Sequence, residues 1–242
     1  MIFKTIHEDI TAFKERDPAA RSGFEVIVLY QGFHALLFYR VAHRLWGWNW
    51  RFLGRLISQF ARILTGIEIH PGASIGRRFV IDHGSGVVIG ETSVIGDDVT
   101  LYHDVTLGGV SPSVDSHTQV GQKRHPTIKN GAIVGSGAQI LGPIVVGVDA
   151  RVGANAVVTS DIPGGVTAVG VPARIIMPKN RKEAKEFHAY ALMDDGQPDP
   201  LTQTIDSLRQ QVAALINRVE ELEDKSEESK TTNKTNKKTP AA

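Results

Sequence analysis

Apolar residues recur every six positions through the middle of the chain, at Ile128, Val134, Ile140, Val146, Val152 and Val158. Glycine follows three of these anchors, at Gly135, Gly147 and Gly153, and the residue four beyond an anchor is usually small: Ala132, Ala138, Ala150 and Ala156, with Ile144 the exception. Such a repeat predicts a parallel β-helix, in which three hexapeptides, about eighteen residues, make one turn.

The repeat begins earlier, in two registers. Ile69, Ile75, Ile81 and Val87 form one; Ile89, Ile95, Leu101 and Leu107 form another, displaced by two residues. A register error would turn an anchor away from the core. The two extra residues are therefore expected to bulge out around Asp82-His83-Gly84-Ser85-Gly86 and to present polar groups there. After Leu107 the period is lost again: Gly108 to Thr127, roughly twenty residues, carry Gly, Ser, Pro and charge, which predicts one long loop of the kind that is usually functional.

Residues 1–66 show helical spacing instead, for example through Leu53, Leu56, Ile57, Phe60, Ile63 and Leu64. Asp17-Pro18 marks a helix boundary. Phe24 to Ala42 is read as a buried helix, because Glu25, Gln31, His34 and Arg40 argue against a membrane span. Trp46, Trp48 and Trp50 cluster at a helix junction, where packing is preferred over a membrane-surface belt. Beyond the coil, Leu201, Ile205, Leu208, Val212, Leu215, Val219 and Leu222 alternate by four and three, an a/d seam. The run Arg218 to Glu223 matches a pattern found in three-stranded coils, so the seam is assigned to a trimer rather than a lone amphipathic helix. The resulting division is 1–66 helical, 67–178 β-helix with loop 108–127, 179–199 linker or short helix, 200–224 coiled coil, and 225–242 a polar, lysine-rich tail expected to be disordered.

Composition narrows the function. With 242 residues, 41% of them hydrophobic, and a formal charge of +1, the chain is long enough for one core with appendages and is not committed to nucleic acid. The absence of cysteine removes disulfides, thiolate ligands and a cysteine nucleophile, and agrees with a reducing cytosol. The N-terminus has no signal-peptide pattern, and a cytoplasmic protein is expected.

Chemistry is expected at the two irregularities. His83 lies in the register slip beside Asp82, and Glu68 stands fifteen residues earlier, where the slip could bring the two together on neighbouring corners. A carboxylate bonded to one imidazole nitrogen raises the basicity of the other, which can then take a proton from a hydroxyl. At the end of the long loop stand Lys123, Arg124 and His125. Arg124 can grip a carboxylate with two parallel hydrogen bonds, and His125 can donate to an oxygen that becomes negative. His34 and His43 are expected to pack; His70, His103, His117 and His188 have no evident partner; no histidine spacing supports a metal site.

The runs IHPGASIG (Ile69 to Gly76), IDHGSGVVIGET (Ile81 to Thr92), VTLGG (Val105 to Gly109), RHPTI (Arg124 to Ile128) and GVPAR (Gly170 to Arg174), with ERDPAA at Glu15 to Ala20, resemble serine O-acetyltransferases in order and separation. The resemblance covers about residues 10 to 178. It implies a left-handed parallel β-helix trimer that moves the acetyl group of acetyl-coenzyme A to the hydroxyl of L-serine, the first step of cysteine synthesis. No cofactor would be permanently bound; acetyl-coenzyme A is the co-substrate. By motif, His83 would be the general base, oriented by Glu68, while His125 and Arg124 would bind the serine and the developing oxyanion. Asp17 and Asp82 would hold the serine ammonium, and L-cysteine would inhibit from the same pocket. Gly109, Ser136 and Ala154 would receive the coenzyme A arm between subunits.

The departures are Glu68 where some members have Asp, a loop from Val110 to Lys123 longer than usual, and a helical segment shorter than in hexameric members. Trimer pairing is left open. Docking to O-acetylserine sulfhydrylase, which uses a C-terminal isoleucine, is expected to be weak or absent because the chain ends Pro240-Ala241-Ala242. The rivals are another hexapeptide acetyltransferase acting on a sugar hydroxyl or amine, a γ-carbonic anhydrase needing three zinc histidines, and a non-catalytic scaffold.

Overall fold

The computed structural model describes residues 2–110 and 119–176, together with Arg209, Gln211, Val212 and Leu215. Contacts divide the chain into two units, Met1–Leu192 and Met193–Ala242. In the second, those four residues are helical, and Val212 and Leu215 are exposed. The rest of the heptad seam, the run 180–191 and the tail lie outside the described residues, as do His117 and His188.

The first unit opens with four helices, α1 (Ile2–Arg16), α2 (Gly23–Leu29), α3 (Gln31–Gly47) and α4 (Arg51–Thr65). Two- and three-residue strands follow, from β1 (Glu68–Ile69) through β14 (Thr167–Val169), closed by an antiparallel β15 (Arg174–Ile176). They stack into three sheets: a five-stranded face of β1, β4 (Val88–Ile89), β7 (Thr106–Gly108), β10 (Gln139–Leu141) and β13 (Val157–Val158), a four-stranded face of β2 (Ser74–Ile75), β5 (Val94–Ile95), β8 (Thr127–Ile128) and β11 (Val145–Val146), and a six-stranded face of β3 (Val80–Ile81), β6 (Thr100–Leu101), β9 (Ile133–Val134), β12 (Arg151–Val152), β14 and β15. Every third strand shares a face as far as β13, after which β14 joins β12, and the pairs are parallel until β15. The strands of the first unit form a parallel β-helix of triangular section.

The hexapeptide anchors fill it. Ile69, Ile81, Ile89, Ile95, Leu101, Leu107, Ile128, Val134, Ile140, Val146, Val152 and Val158 are all buried, and the small residues preceding them by two, such as Ala132, Ala138, Ala150 and Ala156, are fully buried. Each buried aliphatic side chain contributes about 1.5–3 kcal/mol. At the corners the backbone turns through the left-handed region, at Asp98, Asp104, Asp149 and Asn155 and at Gly131 and Gly137. Gly131 is required there: a Cβ would stand 2.0 Å from Asp149 Oδ1 in the next turn.

Both irregularities lie where the repeat breaks. Val80 faces Thr100 and Glu68 faces Val88, offsets of twenty residues, whereas Val88 faces Thr106 eighteen residues on. The two extra residues lie between β3 (Val80–Ile81) and β4 (Val88–Ile89), so the slip holds Asp82 and His83. The next turn spans thirty-three residues, Thr106 to Gln139, an excess of fifteen. This is less than the twenty residues between Leu107 and Ile128, because five residues separate successive anchors even in the regular repeat.

The helices are clamped to the coil. Arg77 pairs with Glu8 and Arg78 with Glu15, while Arg16 reaches Asp98 at 2.7 Å. Phe13 packs edge-on against Tyr30 and Phe33, and the Tyr39 hydroxyl donates to the Ala73 carbonyl at 2.7 Å. Two expectations are corrected. Phe24 to Ala42 is not one buried helix: it breaks at Tyr30, and Phe24 and Leu29 are exposed because α2 buries only Val26. Of the tryptophans, Trp46 packs on His70, but Trp48 and Trp50 lie exposed at the α3–α4 turn. Helix α4 turns its small residues Gly54, Ser58, Ala61 and Thr65 inward, which leaves Phe52, Leu56, Phe60 and Ile63 outside.

Candidate functional site

Two edges of the prism gather polar groups. The first joins the six- and five-stranded faces. There the slip forces His83 into the left-handed backbone region, with φ 54°, rare for a residue with a side chain. Its Nε2 lies 3.7 Å from Asp82 Oδ1, and its side chain is 67% exposed. From the next turn His103 presents its ring edge-on, with centroids 6.3 Å apart, and its buried Nδ1 has no hydrogen-bond partner. Asp17, just past α1, accepts from Ala19 N and from the Tyr30 hydroxyl, the latter at 2.5 Å. Burial raises the Asp82 pKa, the adjacent His83 opposes it, and the Asp17 carboxylate raises it further. Burial and Asp17 also push the Tyr30 phenol well above its ordinary range. Asp17, Asp82 and His83 thus lie in one cluster, to which the structure adds Tyr30 and His103.

Ser136 and Ala154 continue this same edge in the next two turns. Asp104 N donates to Ser85 O, Gly137 N to His103 O and Asn155 N to Ser136 O, each within 2.9 Å. The small residues form a ladder above His83, against which an extended chain can lie closely.

The second edge joins the five- and four-stranded faces. Here the end of the long loop folds back on the corner between β4 and β5 (Val94–Ile95). His125 is buried against Gly90, where a Cβ would come within 2.0 Å of its ring. Thr92 N donates to His125 Nδ1 at 3.1 Å, and the Thr92 hydroxyl lies 2.9 Å from the same nitrogen. Burial lowers the His125 pKa, and the charges of Arg124 and Lys123 act in the same direction. Arg124 Nη2 reaches Glu91 at 3.2 Å. Lys123 Nζ donates to the carbonyls of Thr92 and Pro126, and burial lowers its pKa. His70 lies on this edge as well, with Nδ1 accepting from Gly72 N and its pKa brought down to about 4 by burial and Arg55. A cavity of about 220 Å³ opens between Gly109, Arg124 and Pro143.

Glu68 does not meet His83 in this chain. Its carboxylate is held by Arg62 of α4 at 3.0 Å, since Glu68 sits in β1 within reach of that helix. His34 and His43 are occupied by the carbonyls of Ile27 and Pro71. Sequence spacing missed Thr92, His70 and His103, which the coil brings in from other turns, and Tyr30, which comes from the break between α2 and α3. Of these, Thr92 closes the run IDHGSGVVIGET, where its place at the end of a family-like motif was the one signal that could have found it.

A β-helix of hexapeptide repeats with polar groups gathered at its broken corners is similar to the solved hexapeptide-repeat transferases, one of them a serine O-acetyltransferase from Brucella melitensis, 36% identical at a TM-score of 0.65 and covering 72% of this chain and 66% of that one. Residues 1–37 match the family model "Serine acetyltransferase, N-terminal". The serine acetyltransferase of Bacillus subtilis is 47% identical over 227 residues, 94% of this chain and 98% of that protein. A serine acetyltransferase solved with cysteine is 40% identical at a TM-score of 0.68, covering 73% of this chain and 70% of that one. Another, solved with coenzyme A, is 39% identical at a TM-score of 0.66, covering 72% and 69%. The chain belongs to the serine acetyltransferase family.

Proposed function

We propose that the protein transfers the acetyl group of acetyl-coenzyme A to the hydroxyl of L-serine, giving O-acetyl-L-serine and coenzyme A. His83 is the general base. It takes the proton from the serine hydroxyl as that oxygen attacks the thioester carbonyl, and returns it to the departing thiolate when the tetrahedral intermediate collapses. Both substrates are held together, so no acyl-enzyme forms and positioning supplies much of the rate. Asp17 and Asp82 hold the serine ammonium, Arg124 its carboxylate, and His125 donates to the oxyanion. Glu68 lies fifteen residues before His83, in the strand that pairs with β4, and orients it once Arg62 releases its carboxylate. Gly109, Ser136 and Ala154 receive the coenzyme A arm.

The observation that carries this reading is the split of the candidate residues between two edges of one prism. His83 and Asp82 stand on the first and His125 and Arg124 on the second, so one chain offers two half-sites. A left-handed homotrimer, packed edge to edge, would complete three sites, each between two copies. The C-terminal heptads 200–224 would zip the same trimer, following the helical segment 1–66 and the coil 67–178. L-Cysteine, with the ammonium and carboxylate of serine, would occupy the pocket as a feedback inhibitor. A cytoplasmic location suits a co-substrate made and used there. No described helix is long and apolar enough to cross a membrane. The test is coenzyme A release, with and without L-serine, then with added L-cysteine. Serine-dependent release suppressed by cysteine is expected; release unchanged by serine overturns the reading, and turnover with sugars or amino sugars instead would point to another acceptor.

A further inference from the structure

We infer that Thr92 is a positioning residue, which locks His125 as the neutral tautomer with its proton on Nε2. The hydroxyl of Thr92 accepts two backbone N–H groups, from Arg124 at 3.0 Å and from His125 at 3.1 Å. With both lone pairs engaged, its one O–H is directed at its third neighbour, His125 Nδ1, at 2.9 Å. The backbone N–H of Thr92 donates to the same Nδ1 at 3.1 Å. A nitrogen facing two donors is an acceptor, so the ring proton resides on Nε2. The Thr92 carbonyl completes the arrangement by accepting from Lys123 Nζ. One residue thus engages three successive loop residues and fixes both the orientation and the protonation of the histidine.

The charged and titratable groups around His125 are Arg124 and Lys123 beside it, Glu91 on the β4–β5 corner and His70 from the turn before. Both cations and the burial oppose an imidazolium there. His125 is therefore a hydrogen-bond donor that leaves proton abstraction to His83 on the other edge. The consequence for the reaction rests on the function proposed above; the tautomer does not.

The experiment uses the full-length enzyme labelled with [15N]histidine, its His125 signal assigned with His125→Gln. Nε2–H with a deprotonated Nδ1 is expected in the wild type, and an Nδ1–H signal overturns the inference. In Thr92→Val one donor to Nδ1 is lost, so the His125 titration should move up by roughly one unit, the worth of one hydrogen bond. Turnover should fall about tenfold at unchanged KM for acetyl-coenzyme A, and Thr92→Ser, which keeps the hydroxyl, should restore both. A valine variant that titrates as the wild type overturns the role of the hydroxyl. If that variant folds poorly, the wild-type spectrum still decides the tautomer. Wild-type serine turnover in His125→Asn would overturn the donor role assigned to His125, whatever the tautomer.

Discussion

The two edges of the prism differ in how firmly each holds its histidine. On the first, His83 stands two-thirds exposed on a left-handed backbone, with Asp82 at 3.7 Å. On the second, His125 is buried and Thr92 engages its Nδ1 from both hydroxyl and backbone. A group that must gain and lose a proton needs a free nitrogen and room to reach substrate. A group that stabilises charge must be preorganised, so that nothing reorganises when the charge forms. On the function proposed above, the repeat supplies both from one coil, by adding two residues at one corner and fifteen at another.

That contrast is broken most severely by His83→Ala. Turnover should fall by about two to four powers of ten, the usual worth of a general base, with circular dichroism and sedimentation unchanged. Near-normal turnover in this variant would move the base elsewhere. Sharing of the site between copies is tested next, by co-expressing His83→Ala and His125→Ala chains with different tags. Each chain alone should be nearly inactive. In randomly mixed trimers about a quarter of the sites would draw both intact edges from different chains, and activity should return to that extent. Absence of recovery would place both histidines of a working site in one chain.

Much of this was legible in the sequence. The six-residue period located the strands because each anchor is the inward residue of one strand, on successive faces of the prism, and the displacement from Ile81 to Ile89 marked the slip at His83. Groups that meet only through the coil's pitch were not legible. His103 lies twenty residues beyond His83 and reaches it as the next turn stacks above. Tyr30 arrives from the break between α2 and α3, and Thr92 lies 33 residues from the histidine it holds. Glu68 shows the converse. Its spacing of fifteen residues suggested a neighbouring corner to His83, but the reach of Arg62 from α4 decides its partner in this chain. The outward Phe52, Leu56 and Phe60 of α4 follow the helical period faithfully, yet the inner stripe is built of small residues, so periodicity named a buried face without saying which.

A finer test separates binding from chemistry on the second edge. Arg124 is half exposed, and its contact with Glu91 leaves it able to turn toward a carboxylate. Arg124→Ala should raise the KM for serine about 10- to 100-fold, the worth of a lost charge-assisted pair, with a smaller change in turnover. Inhibition by L-cysteine should weaken in parallel. A change confined to the KM for acetyl-coenzyme A would show that Arg124 faces the cofactor arm instead.

The smallest expected effect concerns stability, and it too distinguishes the edges. His70, on the second edge, has its pKa lowered to about 4 from an ordinary value near 6.5, chiefly by burial. The unfolded chain therefore binds a proton in that interval which the folded chain refuses. Stability from this group is complete above pH 6.5 and is lost as the pH falls toward 4. Burial of His70 is incomplete, so the loss should be modest, a fall in melting temperature on the order of 5 °C at most. His70→Gln cannot titrate but can still accept from Gly72 N, and should flatten that part of the profile while leaving the melting temperature at pH 8 nearly unchanged. If the variant keeps the full acid-side slope, the slope belongs to carboxylates such as Glu8, which Arg77 holds below its ordinary pKa and which destabilises the fold only when protonated. The acid response would then report the clamp between α1 and the coil, with the second edge contributing nothing to it.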